Sequence, residues 1–180
     1  MAMNKSFRML TACAILGLTS SLVALDAFAD LAERFSRENP AGGTTAGKIR
    51  NETGPEGGKF LQRRTIRTDG EGNAAAVTGG AFRTPEGAAG TRGGVTVRKD
   101  DGSIEHKSGA AVTGERGTLK SSGGVSVDAE GNVSGSRSTD IEGAKGGSFE
   151  GSTSYDKDSG LTRSQTCFDA GGNEVPCPSR

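Results

Sequence analysis

Two cysteines near the C-terminus are the residues whose types and spacing most directly suggest chemistry. Cys167 and Cys177 flank the stretch FDAGGNEVP. Their spacing is not the C-x-x-C of redox sites. The third cysteine, Cys13, lies in the predicted leader described below, so an even number remains after cleavage, which in an exported chain favours a structural disulfide. A hairpin centred on Gly172 would place the two cysteines opposite each other. A turn like that of the DAEGN segment would instead set Cys167 against Val175 and make the bond diagonal.

His106 is the only histidine, so any Ser-His-Asp or Cys-His site would have to use it. It alternates with Ile104 and Ser108, which predicts a half-buried position on a strand rather than a catalytic one. Carboxylates are numerous but are spread evenly among turns, so no acid–base pair stands out. The sequence therefore predicts a protein that is not an enzyme, with no catalytic, metal or cofactor-binding residues and no cofactor.

The first 29 residues have the organisation of a secretory signal peptide. Lys5 and Arg8 precede an apolar run that ends in Ala27-Phe28-Ala29, which predicts cleavage between Ala29 and Asp30. No later stretch approaches 18 apolar residues, so we expect no stable membrane insertion after cleavage. Residues 1–29 are therefore predicted to direct export to the periplasm or the medium.

The remaining chain is nearly neutral and poor in bulky side chains. Removal of the leader leaves 20 basic and 21 acidic residues, so no global field would steer the protein to nucleic acid or to an anionic bilayer. The chain has 30 glycines and no tryptophan, and each glycine costs additional backbone entropy on ordering. This composition indicates either a thin, repetitive sheet or a largely disordered chain.

Turn signals recur at a fixed spacing, which favours the sheet. The glycines Gly72, Gly102, Gly131 and Gly160 are separated by 30, 29 and 29 residues, and a second glycine series lies between them. Each unit of about 30 residues reads as strand, turn, strand and looser turn. The predicted turn residues are Asp69, Gly72, Asp101, Gly102, Asp128, Gly131 and Gly160. We predict an all-β fold, either an antiparallel meander or stacked hairpin repeats.

Two turns allow explicit register predictions. A two-residue turn at Asp101-Gly102 would set Val97 against His106 and would place Val95, Val97 and Ile104 on one face. A three-residue loop in the DAEGN segment would set Val127 opposite Val133.

The predicted organisation has three parts. Residues 1–29 form the signal peptide. Residues 30–58 comprise a short helix over 30–38, with Leu31 and Phe35 on one side and Pro40 as its stop, followed by a flexible Gly-rich linker. Residues 59–180 form the β-hairpin repeat region, closed at its C-terminus by the disulfide.

The leader, the Asp/Gly/Asn turns and the terminal TCFDAGGNEVPCPSR together resemble small exported proteobacterial Gly/Ser/Thr-rich repeat proteins without assigned activity. The segment YDKDSGLTR is similar to YD-type repeats. Neither resemblance implies catalytic residues.

We predict an exported, non-enzymatic protein with a structural or surface and envelope interaction role. Its partner in the envelope or outside the cell is unknown, and sheet edges offer a route to self-association. The alternative is a small periplasmic or secreted binding module, such as an inhibitor or a metal-linked accessory factor.

Overall fold

The computed structural model describes residues 31–178 and contains a single sheet of eleven strands. Every strand is antiparallel to the next, and the spatial order follows the chain order, so the predicted all-β meander is confirmed. No helix long and apolar enough to span a membrane occurs in this part of the chain. The strands are β1 Leu31–Glu38, β2 Thr44–Thr53, β3 Lys59–Thr68, β4 Ala74–Arg83, β5 Ala89–Arg98, β6 Ile104–Gly114, β7 Gly117–Val127, β8 Val133–Gly143, β9 Ser148–Asp156, β10 Gly160–Phe168 and β11 Glu174–Val175.

Most of the hairpin turns have the same hydrogen-bonded form. The N–H of the first turn residue donates to the carbonyl of the fifth, and the N–H of the fourth donates to the carbonyl of the first. The fourth residue is a glycine with a positive φ, between 79° and 90°. This is a type I turn followed by a G1 bulge, which needs a residue without a Cβ at the left-handed position. The glycines in this position are Gly42, Gly57, Gly87, Gly102, Gly131, Gly146 and Gly172.

The helix predicted for residues 30–38 is wrong, because this segment forms the edge strand β1 from Leu31 to Glu38. Leu31 and Phe35 are four residues apart, a spacing that places two side chains on one face of either a helix or a strand. The pairing of β1 with β2 resolves the ambiguity, and the ring of Phe35 lies over Gly47, where a Cβ would be 2.5 Å from it. Pro40 lies in the turn that follows.

The flexible linker predicted for residues 39–58 is also wrong. Its centre is β2, which pairs along its length with both β1 and β3, and its glycine-rich ends are the two flanking turns. Gly42 and Gly57 have φ values of 79° and 86°, so these glycines serve turn geometry rather than flexibility. The sheet therefore begins at residue 31 rather than at residue 59.

The register predicted around Asp101-Gly102 is off by one residue. The loop has three residues rather than two, so Val97 pairs with Glu105, and Thr96 pairs with His106. Since a shift of one residue reverses the face of every side chain, Ile104 lies on the opposite face from Val97. The prediction for the DAEGN turn is confirmed, because Val127 pairs with Val133.

The single layer leaves little of the chain fully buried. Among the described residues, Ala89 and Cys167 are the buried apolar residues and Asn51 is the buried polar one, and no large side chain is completely enclosed. Globular domains normally bury their apolar groups between two packed layers. Here both faces of one layer remain accessible, and they carry the surface chemistry of the molecule.

Candidate functional site

The disulfide predicted from the sequence is present and ties the last strand to the sheet. Cys167 of β10 bonds Cys177, with the two Cα atoms 5.2 Å apart. Cys167 pairs in register with Val175, so of the two arrangements left open by the sequence, the diagonal one forms. A disulfide is weakly consistent with an oxidising, exported compartment. The bond holds β11 against β10. Without it, the two strands would be joined only by the two residue pairs of the short strand β11.

Three of the turns share the pattern D-x-x-G-N, and in each the carboxylate is enclosed by donors of its own turn. Asp128 accepts hydrogen bonds from the backbone N–H of Asn132 at 2.7 Å and from its Nδ2 at 2.7 Å. Asp69 and Asp169 make the equivalent contacts with Asn73 and Asn173. The turn at Asp169 was one of the two arrangements predicted for the FDAGGNEVP segment, and it forms as the DAEGN turn does.

These hydrogen bonds stabilise the ionised carboxylates. The side-chain amide of Asn132 is the largest cause of the lowered pKa of Asp128, whereas the backbone N–H of Glu71 is the largest for Asp69. Backbone donation from Asn173 is the largest cause of the lowered pKa of Asp169, whereas a hydrogen bond from the side chain of Ser103 is the largest cause of the lowered pKa of Asp101. The geometry of the turns therefore accounts for these perturbed carboxyls, and residues 31–178 contain no group of three His, Cys, Asp or Glu that could hold a metal ion.

The remaining predicted residues do not come together. His106 is half-buried on β6, and its Nδ1 lies 2.8 Å from Oγ1 of Thr96 on β5. Gly72 and Gly131 lie in turns with positive φ values of 101° and 84°, and Gly160 is the first residue of β10, with a φ of 70°. The predicted cleavage residues Ala27, Ala29 and Asp30 lie outside the described residues.

The two faces of the sheet differ in a way that the sequence did not predict, and this contrast is the most distinctive feature of the molecule. We name as the apolar face the side that carries Phe60, Phe82 and Phe149, and as the serine face the side that carries Ser122 and Ser138. Residues paired in register share a face, and faces alternate along each strand, so the pairings assign every strand residue.

A continuous row of apolar and small residues crosses nine strands on the apolar face. Each member pairs directly with the next, and the ring of Phe82 lies over Gly90, where a Cβ would be 2.4 Å from it. The row is made of Phe60, Phe82, Gly90, Val112, Leu119, Ile141, Phe149, Cys167 and Val175. Such cross-strand contacts between apolar side chains stabilise a sheet.

Much of the apolar side-chain surface on this face is open to solvent. Nine large hydrophobic residues are exposed among the described ones, and only Val77 of these lies on the serine face. Leu161 is 58% exposed and pairs directly with Tyr155, which is 45% exposed. The other six on the apolar face are Ile66, Ile104, Val125, Val133, Ile141 and Val175.

The apolar face is also uniform in charge from β3 to β10, whereas its edge at β1 and β2 carries Glu38 and Glu52. On strands β3 to β10 it carries five arginines and no carboxylate, whereas the serine face of the same strands carries Glu105, Asp140, Glu142, Glu150 and Asp156. Arg137 lies along the apolar face and donates to the hydroxyls of Ser121 and Ser108 at 3.0 and 3.1 Å. The other four arginines are Arg64, Arg92, Arg98 and Arg163, and all five are exposed.

Short side chains dominate the middle of the serine face. Gly79, Gly93 and Gly109 pair in sequence across the sheet and continue into a row of serines. Hydroxyl contacts of 3.3 Å and 2.7 Å join Ser122 to Ser138 and Ser152 to Ser164. An open depression of about 1100 Å³ lies over the glycine-rich centre of the sheet. Its lining combines glycines and serines with Arg63, Glu105, His106 and Lys107.

Comparison of the chain with protein-family models, with curated proteins and with solved structures found no match.

Proposed function

We propose that the protein is exported and has a structural or surface-interaction role at the cell envelope, without catalysing a reaction. The observation that carries this proposal is the uncovered apolar face, where eight exposed hydrophobic residues share one side of the sheet. Exposed apolar patches of this kind mark interaction surfaces in soluble proteins. The leader and the Cys167–Cys177 disulfide support export, since such bonds persist in oxidising compartments.

The export part is tested by intact-mass measurement of the full-length gene product after expression with a functional secretion pathway. We expect loss of residues 1–29 and a mass about 2 Da below that of the fully reduced chain. As a control, Ala29→Arg should retain the leader, because a large charged residue blocks the small-residue cleavage site. Recovery of uncleaved protein with three alkylatable thiols from the cytoplasm would contradict export.

The interaction part is tested by fractionating the cells that carry the cleaved protein. We expect a large share of it in the envelope fraction, and we expect Leu161→Ser to move it into the soluble fraction. Val77→Ser is the matched control, since Val77 is similarly exposed, at 49%, on the serine face. Equal fractionation of the two variants would show that the apolar face does not hold the protein in the envelope fraction.

A further inference from the structure

The apolar face combines two properties that together define the chemistry of its partner. Exposed aliphatic and aromatic side chains lie beside five arginines, and no strand carboxylate from β3 to β10 shares this face. Adjacent strands are about 4.8 Å apart, so Arg92 on β5, Arg137 on β8 and Arg163 on β10 follow one another at intervals of roughly 10–14 Å. The cations are therefore distributed across the sheet rather than clustered in a pocket.

A partner that matches only the exposed hydrophobic side chains, or only the arginines, is less suitable. A second copy stacked face to face would cover the hydrophobic residues. It would also bring arginines towards arginines across the roughly 10 Å between packed sheets, with no carboxylate from β3 to β10 on these faces to neutralise them. A soluble polyanion would neutralise the arginines but would leave Tyr155 and Leu161 in water.

An anionic lipid surface satisfies both properties at once. Peripheral proteins bind bilayers through buried apolar side chains together with basic residues that face acidic headgroups. From β3 to β11 the carboxylates that would be repelled lie on the serine face or in turns at the ends of the strands. The two carboxylates on the apolar face, Glu38 and Glu52, are confined to β1 and β2 at one edge of the sheet. From this geometry, we infer that the apolar face binds the surface of an anionic lipid bilayer, with Tyr155 and Leu161 inserted and the arginines at the headgroups. This inference rests on the proposed interaction role and names its partner.

The chain has no tryptophan, so a single introduced one reports insertion directly. The exported protein carrying Leu161→Trp is mixed with vesicles of phosphatidylglycerol and phosphatidylcholine, and its fluorescence is compared with that in phosphatidylcholine alone. We expect a blue shift with the anionic vesicles only. The matched variant Val77→Trp should show no shift, because Val77 projects from the opposite face. No shift for Leu161→Trp, or equal shifts for both variants, would overturn the inference.

The contribution of the arginines is measured by vesicle sedimentation. The double variant Arg92→Gln with Arg163→Gln should weaken partitioning of the protein onto anionic vesicles about 30-fold, because each arginine near the surface contributes roughly a fivefold gain in affinity. Arg63→Gln with Arg67→Gln changes the net charge equally but acts on the serine face, so we expect less than about a twofold effect. Equal losses for the two pairs would overturn the assignment to one face. Equal urea midpoints for the two pairs exclude a folding difference.

Two further outcomes identify the rejected partners and also overturn the inference. A blue shift of Leu161→Trp that grows with protein concentration in the absence of lipid would identify a second copy. Binding that falls with the arginine pair but is unchanged in Tyr155→Ser with Leu161→Ser would identify a soluble polyanion. Failure to bind anionic vesicles while envelope fractionation persists would remove the lipid partner and leave the proposed function standing.

Discussion

The two faces of this sheet are built from the same strands, yet they differ in almost every surface property. The apolar face carries the phenylalanine row and five arginines without strand carboxylates from β3 to β10, whereas the serine face carries short side chains and acids of both β8 and β9. A chain with equal numbers of basic and acidic residues can therefore present a cationic side. Net charge describes the behaviour of a whole protein, but recognition depends on the charges that share a surface.

Loss of the disulfide is expected to have the largest effect on stability, because the bond anchors β11, the last strand of the row on the apolar face. Reduction, or Cys167→Ala with Cys177→Ala, opens a loop of about ten residues and should lower the free energy of unfolding by roughly 2–3 kcal/mol. Amide exchange should rise first in residues 155–178, since β11 makes only two pairings. Hydrogen exchange by mass spectrometry measures this, and uniform loosening of all eleven strands would contradict the local anchoring.

A side chain at Gly90 tests whether the apolar face is a packed surface. In Gly90→Val the new Cβ would lie 2.4 Å from the Phe82 ring and 3.0 Å from the carbonyl oxygen of Ala111. Overpacking of this kind should destabilise the protein by about 1–3 kcal/mol. Gly79→Val is the control on the serine face, where a Cβ meets nothing within 4 Å. The urea midpoint of Gly90→Val should be clearly lower than that of Gly79→Val. Equal midpoints would show that the apolar face is no more tightly packed than the serine face.

Acid acts on the turns, which belong to neither face. Asp69, Asp128 and Asp169 have pKa values lowered in the folded chain by hydrogen bonds from their own turns. A lowered folded pKa gives stability that is present above the unfolded value of about 3.9 and is lost as the pH falls through the folded pKa. The urea midpoint should therefore be steady from pH 7 to about pH 5 and should decline below about pH 4.

The triple substitution of these aspartates by Asn removes the three titrating groups, so it should flatten the acid decline. Asp140→Asn in the middle of β8 is the control and should keep the wild-type profile. A triple variant that declines as steeply as the wild type would mean that other carboxylates cause the acid sensitivity.

The smallest effect is expected on the serine face. Ser152→Ala removes an exposed hydroxyl contact of 2.7 Å with Ser164 and should change the free energy of unfolding by no more than about 0.5 kcal/mol. Chemical denaturation at neutral pH measures it. A cost similar to that of Gly90→Val would show that the hydroxyl row contributes as much as the apolar row.

Local sequence was sufficient to predict the D-x-x-G-N turns, the all-β meander and the disulfide. A D-x-x-G-N turn is closed by its own residues, as in Asp128 and Asn132, and the left-handed position accepts glycine most readily. The pairing of Val127 with Val133 followed from that loop alone. With two cysteines left after the expected cleavage, the disulfide had one intramolecular solution, although its diagonal geometry was decided by the hairpin.

What lies on each face was decided only by the tertiary structure. The spacing of Leu31 and Phe35 fits both a helix and a strand, and pairing with β2 selected the strand. A one-residue difference in the loop before Ile104 placed that side chain on the apolar face, beside Arg98. The physical reason is that side chains alternate with a period of two, so the register of every hairpin must be correct before residues distant in the chain, such as Arg64 and Arg163, are known to share one side.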